Sequence, residues 1–248
     1  MQEVLIFIVG LMAGFLGATV GGGGFLSIPV LILLGFTPQA SIALNKVGDI
    51  GTFISAVGKY WKSKKINWRL AGKIAIVYII GSFVGTQIMV DLSSQVLNIL
   101  IAISILLAVP FLFISKKMGL VTIKVSKTRK VIGFVLLAFL SIMGAIVGAG
   151  GAVMSTMVML VFFGYEIVKG HATTTPSKFF SALIPSVVYY SYGFVEIIPA
   201  IVIFVGMLIG GFLGARTAIL EGNRWIKILF TVVVIALVFN LVFFNQIS

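Results

Sequence analysis

Long apolar stretches constrain this chain more than any other feature of its sequence. A helix needs roughly 20 apolar residues to cross about 30 Å of hydrocarbon, and several runs approach or reach that length. The clearest are residues 70–90, 96–114, 131–147, 198–215 and 225–244. Of the 248 residues, 60% are hydrophobic and only 10% are charged, too few to cover a soluble domain of this size. We therefore predict an all-α, polytopic membrane protein.

The distribution of basic residues predicts how these segments are oriented. Lysine and arginine are concentrated in residues 59–73, residues 116–130 and, more weakly, residues 216–227. Cytoplasmic loops of membrane proteins carry such an excess, whereas the connections 91–95 and 191–199 contain neither residue type. The net charge of +12 is therefore a topology signal, with anionic lipid and not nucleic acid as its partner. We expect a multi-pass protein of the cell (inner or plasma) membrane.

A duplicated pattern divides the chain into two halves. The glycine-rich segment 14–24 recurs at 143–151, and after a two-residue insertion the halves match at a displacement of 129 residues. The basic loop that follows the polar helix of the first half corresponds to a loop without Lys or Arg in the second. Such a charge reversal predicts two inverted-topology repeats, residues 1–114 and 131–248, joined by a basic cytoplasmic linker at 115–130. Both termini are then expected to be extracytoplasmic.

Each repeat is predicted to begin with a helix that glycines interrupt. Seven glycines form the two breaks: Gly21, Gly22, Gly23 and Gly24 in the first repeat, and Gly148, Gly150 and Gly151 in the second. A short apolar piece of about half a crossing follows each break. Backbone N–H groups at such a break can converge on a ligand, although tight helix packing at a bend is the alternative. We expect a glycine-broken, re-entrant helix pair and then three spanning helices in each repeat.

The next segment of each repeat carries polar residues inside an apolar helix. Asn45, Asp49 and Thr52 follow the spacing i, i+4, i+7 and share one helix face. The equivalent positions of the second repeat are polar as well: Thr174, Lys178 and Ser181. Ionisable groups inside a membrane usually mark a pathway or a pair. Asp49 and Lys46 are therefore candidates for gating or coupling, and the alternative is a salt bridge from Asp49 to Lys178 or Lys46 that only closes the bundle.

Three consecutive threonines before Pro176 add a second candidate element. Proline fits the first turn of a helix, so Thr175 is predicted to cap a helix that starts within the membrane, leaving the Thr173 and Thr174 hydroxyls free. With Lys178 nearby, such a helix end suits an anion with several acceptor oxygens. The predicted substrate-binding set is thus the seven glycines with Asn45, Thr173, Thr174, Thr175 and Lys178.

Residue types that ligate metal ions are scarce in this sequence. The chain has no cysteine, and its few carboxylates and single histidine are not at metal-ligand spacing, so no metal site and no cofactor are predicted. His171, at the entry of the second polar helix, is interpreted as a hydrogen-bonded residue of the membrane interface.

The glycine pattern resembles that of a known family. Gly14, Gly17, the run 21–24 and Pro29, followed by Leu34-Gly35 and Ala43-x-Asn45, resemble the TauE/SafE family of sulfite and organosulfur-anion exporters. A partial copy begins at Gly144 and ends at Ala172-Thr173-Thr174. The resemblance implies movement of a sulfur-containing or carboxylated anion, such as sulfite, thiosulfate, sulfoacetate or a similar sulfonate.

Three classes of function are compatible with such a chain. Inverted repeats with broken helices favour a secondary transporter that alternates access around a midplane site, with a small anion as substrate and a coupling proton or cation as a further candidate partner. A passive anion channel is the second interpretation. A membrane-embedded enzyme is third, because the sequence contains neither Gly-x-Ser-x-Gly nor His-Glu-x-x-His.

Overall fold

The computed structural model describes residues 2–19, 21–106 and 119–244, and within these ranges the chain forms nine α-helices and no strand. The helices are α1 (Gln2–Thr19), α2 (Gly23–Leu33), α3 (Pro38–Lys62), α4 (Trp68–Val90), α5 (Ser94–Leu106), α6 (Lys127–Val147), α7 (Gly151–Phe163), α8 (Ile167–Ser191) and α9 (Ile197–Phe244). The all-helical prediction is confirmed. Parts of the predicted span 96–114 and of the linker 115–130 lie outside the described residues, as do the two terminal ends of the chain.

Four helices are long and apolar enough to cross a membrane: α1, α4, α6 and the Ile197–Ile226 part of α9. The polar helices α3 and α8 have 25 residues each, which is about 37 Å at 1.5 Å per residue and also sufficient to cross. Helix α9 is interrupted at Gly222, whose φ of 73° and ψ of −169° are not helical. The chain is therefore built as a multi-pass membrane protein.

The short helices α2 and α7 fold back along the helices that precede them. Helices α1 and α2 thus form a first helical hairpin, and α6 and α7 form a second. At the open end of the first hairpin, Gln2 Nε2 donates a hydrogen bond to the Leu34 carbonyl at 3.2 Å; at that of the second, Arg129 Nη2 donates to the Val161 carbonyl at 2.7 Å. The chain reverses at glycines with φ near +80°, namely Gly21 in the first hairpin and Gly148 and Gly150 in the second. Glycine populates this conformation readily because it has no Cβ.

Positions 129 residues apart have the same local structure in α3 and α8. The bounds of the two helices differ by 129 at both ends, and each helix is followed by a residue with positive φ, Lys64 at 56° and Gly193 at 76°. Tyr60 donates to the Ala18 carbonyl at 2.6 Å, and Tyr189 donates to the Ala145 carbonyl at 2.7 Å. Equivalent tyrosines thus fasten each polar helix to the first helix of its own half.

The predicted helix start at Thr175 is wrong. Helix α8 continues from Ile167 to Ser191 through both Pro176 and Pro185. The Thr175 hydroxyl does not cap a helix but donates to the His171 carbonyl at 2.8 Å, and the Thr174 hydroxyl donates to the same oxygen at 3.0 Å. Threonine hydroxyls can bond carbonyls in the turn that a proline disrupts, and this allows a helix in lipid to pass through a proline.

The two halves are interleaved. The portion of α9 before Gly222 packs on α1 and α3, and α4 packs on α6 and α8, so the fourth helix of each half lies against the first and third helices of the other. Gly210 and Gly214 lie directly against the α1 backbone at Leu11 and Phe15, and Gly85 lies against the α6 backbone. Their small-xxx-small spacing allows the helices to pack this closely.

Candidate functional site

The two glycine breaks meet in the interior of the protein. A Cβ on Gly24 would lie 2.6 Å from the Gly148 carbonyl oxygen, and a Cβ on Gly21 would lie 2.7 Å from the carbonyl carbon of Ala152. The two backbones can approach this closely only because the glycines lack side chains. The N-terminal ends of α2 and α7 therefore lie side by side, with the backbone of one break in contact with the backbone of the other.

Charged side chains lie at the centres of the two long polar helices. Helices α3 and α8 pack against each other, and their midpoints are residues 50 and 179. Asp49 and Lys178 each come one residue before the midpoint, which corresponds to the middle of a membrane that the helices cross. Both residues are buried, with 9% of Asp49 and 2% of Lys178 exposed. Lys46, on the preceding turn of α3, is 4% exposed.

A chain of hydrogen bonds connects the first break to Asp49. Ser27, one turn into α2, donates to Asn45 Oδ1 at 2.5 Å, and Asn45 Nδ2 donates to Asp49 Oδ2 at 3.1 Å. Both Asn45 and Ser27 are fully buried. The i, i+4 spacing identified Asn45 and Asp49, whereas Ser27 was missed; a small hydroxyl within an otherwise apolar α2 is the signal that could have found it.

A corresponding set of contacts connects the second break to Lys178. The Lys178 ammonium donates to the Ala152 carbonyl in the first turn of α7 at 3.1 Å and lies 3.3 Å from His171 Nδ1. Thr156 Oγ1 lies 3.0 Å from the same ring nitrogen. Thr156 is 129 residues after Ser27, so a hydroxyl in each short helix contacts the polar helix that follows it.

His171 lies deeper than the sequence interpretation placed it. The side chain is hydrogen-bonded as expected, but it is fully buried beside Lys178 instead of lying at the membrane interface. Its ring packs edge-on against Tyr60, with the centroids 6.1 Å apart. His171 and Lys178 are separated by seven residues, a spacing that places them on one face of α8 and that could have revealed the contact.

The buried charges of the site do not cancel. Within the described ranges neither Lys46 nor Lys178 forms an ion pair with Asp49, since Lys178 is bonded to Ala152 and His171. Both lysines are nonetheless close enough to stabilise an ionised Asp49 through space. Counted by formal charge, with both lysines protonated, Asp49 ionised and His171 neutral, these buried side chains carry one excess positive charge. In the part of the chain that the structure describes, no group of three His, Asp or Glu side chains could hold a metal ion.

Several predicted site residues have packing contacts instead. Gly23 lies against the Ala13 carbonyl and Gly151 against Gly144, so each closes the hairpin to which it belongs. The Thr173 hydroxyl donates to the Lys169 carbonyl at 2.7 Å and accepts from the backbone N–H of Asn67, just before α4, at 3.2 Å.

The remaining predicted residues lie at or near the breaks. Gly22 precedes the first residue of α2, and Gly150 precedes that of α7, with its α-carbon near the Phe25 ring. Thr174 and Thr175 are fully buried, with their hydroxyls bonded to their own helix. The structure thus brings together Gly21, Gly24, Gly148, Asn45, Asp49 and Lys178.

Comparison with known proteins agrees on one family. The sulfite exporter TauE/SafE family matches residues 6–241. A "probable membrane transporter protein" of Haemophilus influenzae is 24% identical over 90% of this chain and 88% of its own length. The probable membrane transporter proteins YfcA of Escherichia coli K12 and YunE of Bacillus subtilis are 24% and 25% identical, over 92% and 87% of this chain and 85% and 88% of theirs. No solved structure matches the chain.

Proposed function

The chain belongs to the sulfite exporter TauE/SafE family, and we propose that it is a secondary transporter that moves a small sulfur-containing or carboxylated anion across the cell membrane. The observation that carries this proposal is the burial of two lysines, Lys46 and Lys178, with a single carboxylate, Asp49, in the centre of the protein, an excess of one positive formal charge. An uncompensated charge is unfavourable inside a membrane protein. A bound anion would balance it.

The surroundings of Lys178 support binding of an oxyanion there. An ammonium group has three N–H donors, and in this structure two of them have acceptors, at Ala152 and His171. The third is available to a ligand. The N-terminal ends of α2 and α7 meet at the same place, and helix N-termini favour negative charge. In this proposal Gly21, Gly24, Gly148 and Asn45 shape the site and Lys178 supplies the charge.

We further propose that the two halves are inverted repeats, with both termini extracytoplasmic and residues 115–130 on the cytoplasmic side. The equivalent ends of α3 and α8 support this, because Lys64 lies in a strongly basic loop and Gly193 lies in a loop without Lys or Arg. The interleaved packing of the fourth helices is also what two related halves would form around a common axis.

The absence of natural cysteine makes this topology testable with single thiols. We expect Lys64→Cys to react with a membrane-impermeant maleimide only from the cytoplasmic side, and Gly193→Cys only from the outside, in right-side-out and inverted vesicles. Both positions follow a helix end; a Cβ at Gly193 would meet no atom within 4 Å, and the strain from its φ of 76° is confined to this exposed turn. Reaction of both thiols from the same side would contradict the inverted arrangement.

The way the two breaks touch supports an alternating-access mechanism. Asn45 and Lys178 are almost completely buried in this structure, so substrate can reach them only if helices part on one side and then on the other. Gly24 and Gly148, which are in direct contact, can move apart in such a movement because neither has a side chain that would obstruct the two hairpins. Asp49 and Lys46 are in a position to gate or couple it, since Asp49 interacts electrostatically with Lys46 on its own helix and with Lys178 on α8.

Uptake by reconstituted protein tests the proposed function. We expect liposomes containing the purified protein to take up at least one of labelled sulfite, thiosulfate, sulfoacetate or a simple carboxylate, with a saturable rate. Protein-free liposomes and liposomes with heat-denatured protein are the controls. If none of these anions enters faster than in the controls, the proposed substrate class is wrong.

A further inference from the structure

His171 makes contacts that anion binding alone does not require. Nδ1 lies 3.3 Å from Lys178 Nζ and 3.0 Å from Thr156 Oγ1. Nε2 faces the carbonyl end of α1, at Gly17 and Ala18, without forming a hydrogen bond. The side chain is fully buried. Because buried polar atoms in proteins nearly always have partners, an unpaired ring nitrogen in this position calls for a role.

The contacts of Nδ1 determine which protonation states His171 can adopt. A charged Lys178 is a donor only, so Nδ1 can accept from it when the ring proton is on Nε2. If the ring takes up a second proton, the Nδ1–H group can donate to the Thr156 hydroxyl, while the Nε2–H group still faces the α1 carbonyls. His171 therefore has an acceptor for the second proton, the Thr156 hydroxyl, without moving. The second proton, however, places a positive ring beside the Lys178 ammonium.

An anion of sufficient charge would remove this repulsion. With neutral His171, the buried Lys46, Asp49 and Lys178 have a net charge of +1, and with protonated His171 the cluster has a net charge of +2. We propose that His171 is the proton-binding group of the transporter, and that it takes up one proton when a divalent oxyanion binds beside Lys178. The inference rests on the proposed anion transport and adds to it the coupling ion, at one proton for each dianion.

The proposal gives coupling a simple physical basis. The dianion makes the second proton on His171 favourable, and the protonated ring in turn strengthens binding of the dianion by the same factor, as thermodynamic linkage requires. When the dianion leaves on the other side of the membrane, repulsion from Lys178 expels the proton from Nδ1 there. Proton and dianion then move in the same direction.

Few titratable groups surround His171. Among the described side chains, the titratable groups that face the ring are Lys178 on its own helix and Tyr60 on α3. Tyr60 is engaged as a donor to the Ala18 carbonyl at 2.6 Å. Helix α7 contributes the Thr156 hydroxyl, and α1 contributes backbone carbonyls. Asp49 is bonded to Asn45 and acts electrostatically on Lys178.

Thiosulfate flux under a proton gradient tests the inference in reconstituted wild-type protein. We expect an inward proton gradient to stimulate labelled thiosulfate uptake, and a pH dye inside the liposomes to report proton entry that depends on thiosulfate. In His171→Gln, the amide oxygen can still accept from Lys178 but cannot take up the proton. This variant should lose most of the stimulation, about tenfold for a typical coupling, while exchange of labelled for unlabelled thiosulfate at equal pH continues.

Tyr189→Phe is the matched control, because it removes a buried hydrogen bond to Ala145 at a residue that does not contact His171. It should respond to the gradient as the wild type does. An unchanged gradient response in His171→Gln would overturn the proposal, as would net thiosulfate uptake by the wild type that is never accompanied by proton entry. The wild-type dye signal needs no variant, so misfolding of His171→Gln cannot hide the answer. If the wild type exchanges neither thiosulfate nor sulfite, sulfoacetate or a simple carboxylate, it is the transport function itself that is overturned.

Discussion

Lys178→Met is expected to abolish anion uptake by the reconstituted protein. The substitution shortens the unbranched side chain by only one atom and removes the charge that we assign to substrate binding. Loss of one partner of a buried charge-assisted contact typically decreases binding by roughly 2–5 kcal/mol, and the middle of that range corresponds to a decrease in affinity of about 100-fold or more. Uptake of labelled anion in proteoliposomes, measured at concentrations around the wild-type half-saturation point, shows the effect.

The stability of the Lys178→Met variant distinguishes a lost site from a lost fold. Removing an uncompensated buried charge removes an unfavourable contribution to the free energy of folding. We therefore expect the thermal unfolding temperature in detergent to be close to that of the wild type. Lys178→Arg, which keeps the charge, should retain part of the uptake. Lys62→Met, an exposed basic residue at the end of α3, should leave uptake unchanged. Normal uptake by a folded Lys178→Met protein would show that the charge at this position is not needed.

Gly24→Ala is expected to destabilise the protein strongly for so small a change. The added Cβ would lie 2.6 Å from the Gly148 carbonyl oxygen and 3.2 Å from the α-carbon of Ala149. Both are backbone atoms, so the two breaks must move apart. Overpacking of this kind typically costs about 1–3 kcal/mol, and a lower thermal unfolding temperature in detergent would reveal it.

Gly58→Ala provides the control for this experiment. Gly58 lies within α3, and a Cβ there would meet no atom within 4 Å. Alanine is preferred over glycine in a helix by roughly 0.5–1 kcal/mol, so this variant should be as stable as the wild type or slightly more so. Equal stability of Gly24→Ala and Gly58→Ala would mean that the breaks do not pack as tightly as described.

The parts of the structure that follow from one-dimensional patterns could be predicted. Apolar length is sufficient to identify membrane helices, because a bilayer requires it. The 129-residue displacement alone pairs Asp49 with Lys178, and both lie one residue before the midpoints of α3 and α8. Glycine runs predicted breaks because only glycine accepts the backbone angles found at Gly21 and Gly148.

The parts that depend on contacts between helices could not be predicted in the same way. The role of Ser27 depends on how α2 crosses α3, and the burial of His171 depends on α1 and α7 covering it. Pro176 was misleading because its local preference for a helix start competes with the need to keep backbone hydrogen bonds satisfied in lipid. Helix α8 resolves this competition by continuing, with the Thr174 and Thr175 hydroxyls bonded to the His171 carbonyl.

Counterflow is the measurement that tests the central claim, an alternating-access site for a small anion between the two halves, most directly. Proteoliposomes loaded with a high concentration of unlabelled substrate are diluted into a trace of the labelled anion. A transporter whose single site faces one side at a time should accumulate the label transiently above its external concentration, and Lys178→Met should show no overshoot. Simple equilibration of the label, without overshoot and at a rate that rises linearly with concentration, would indicate a passive anion channel and contradict the account.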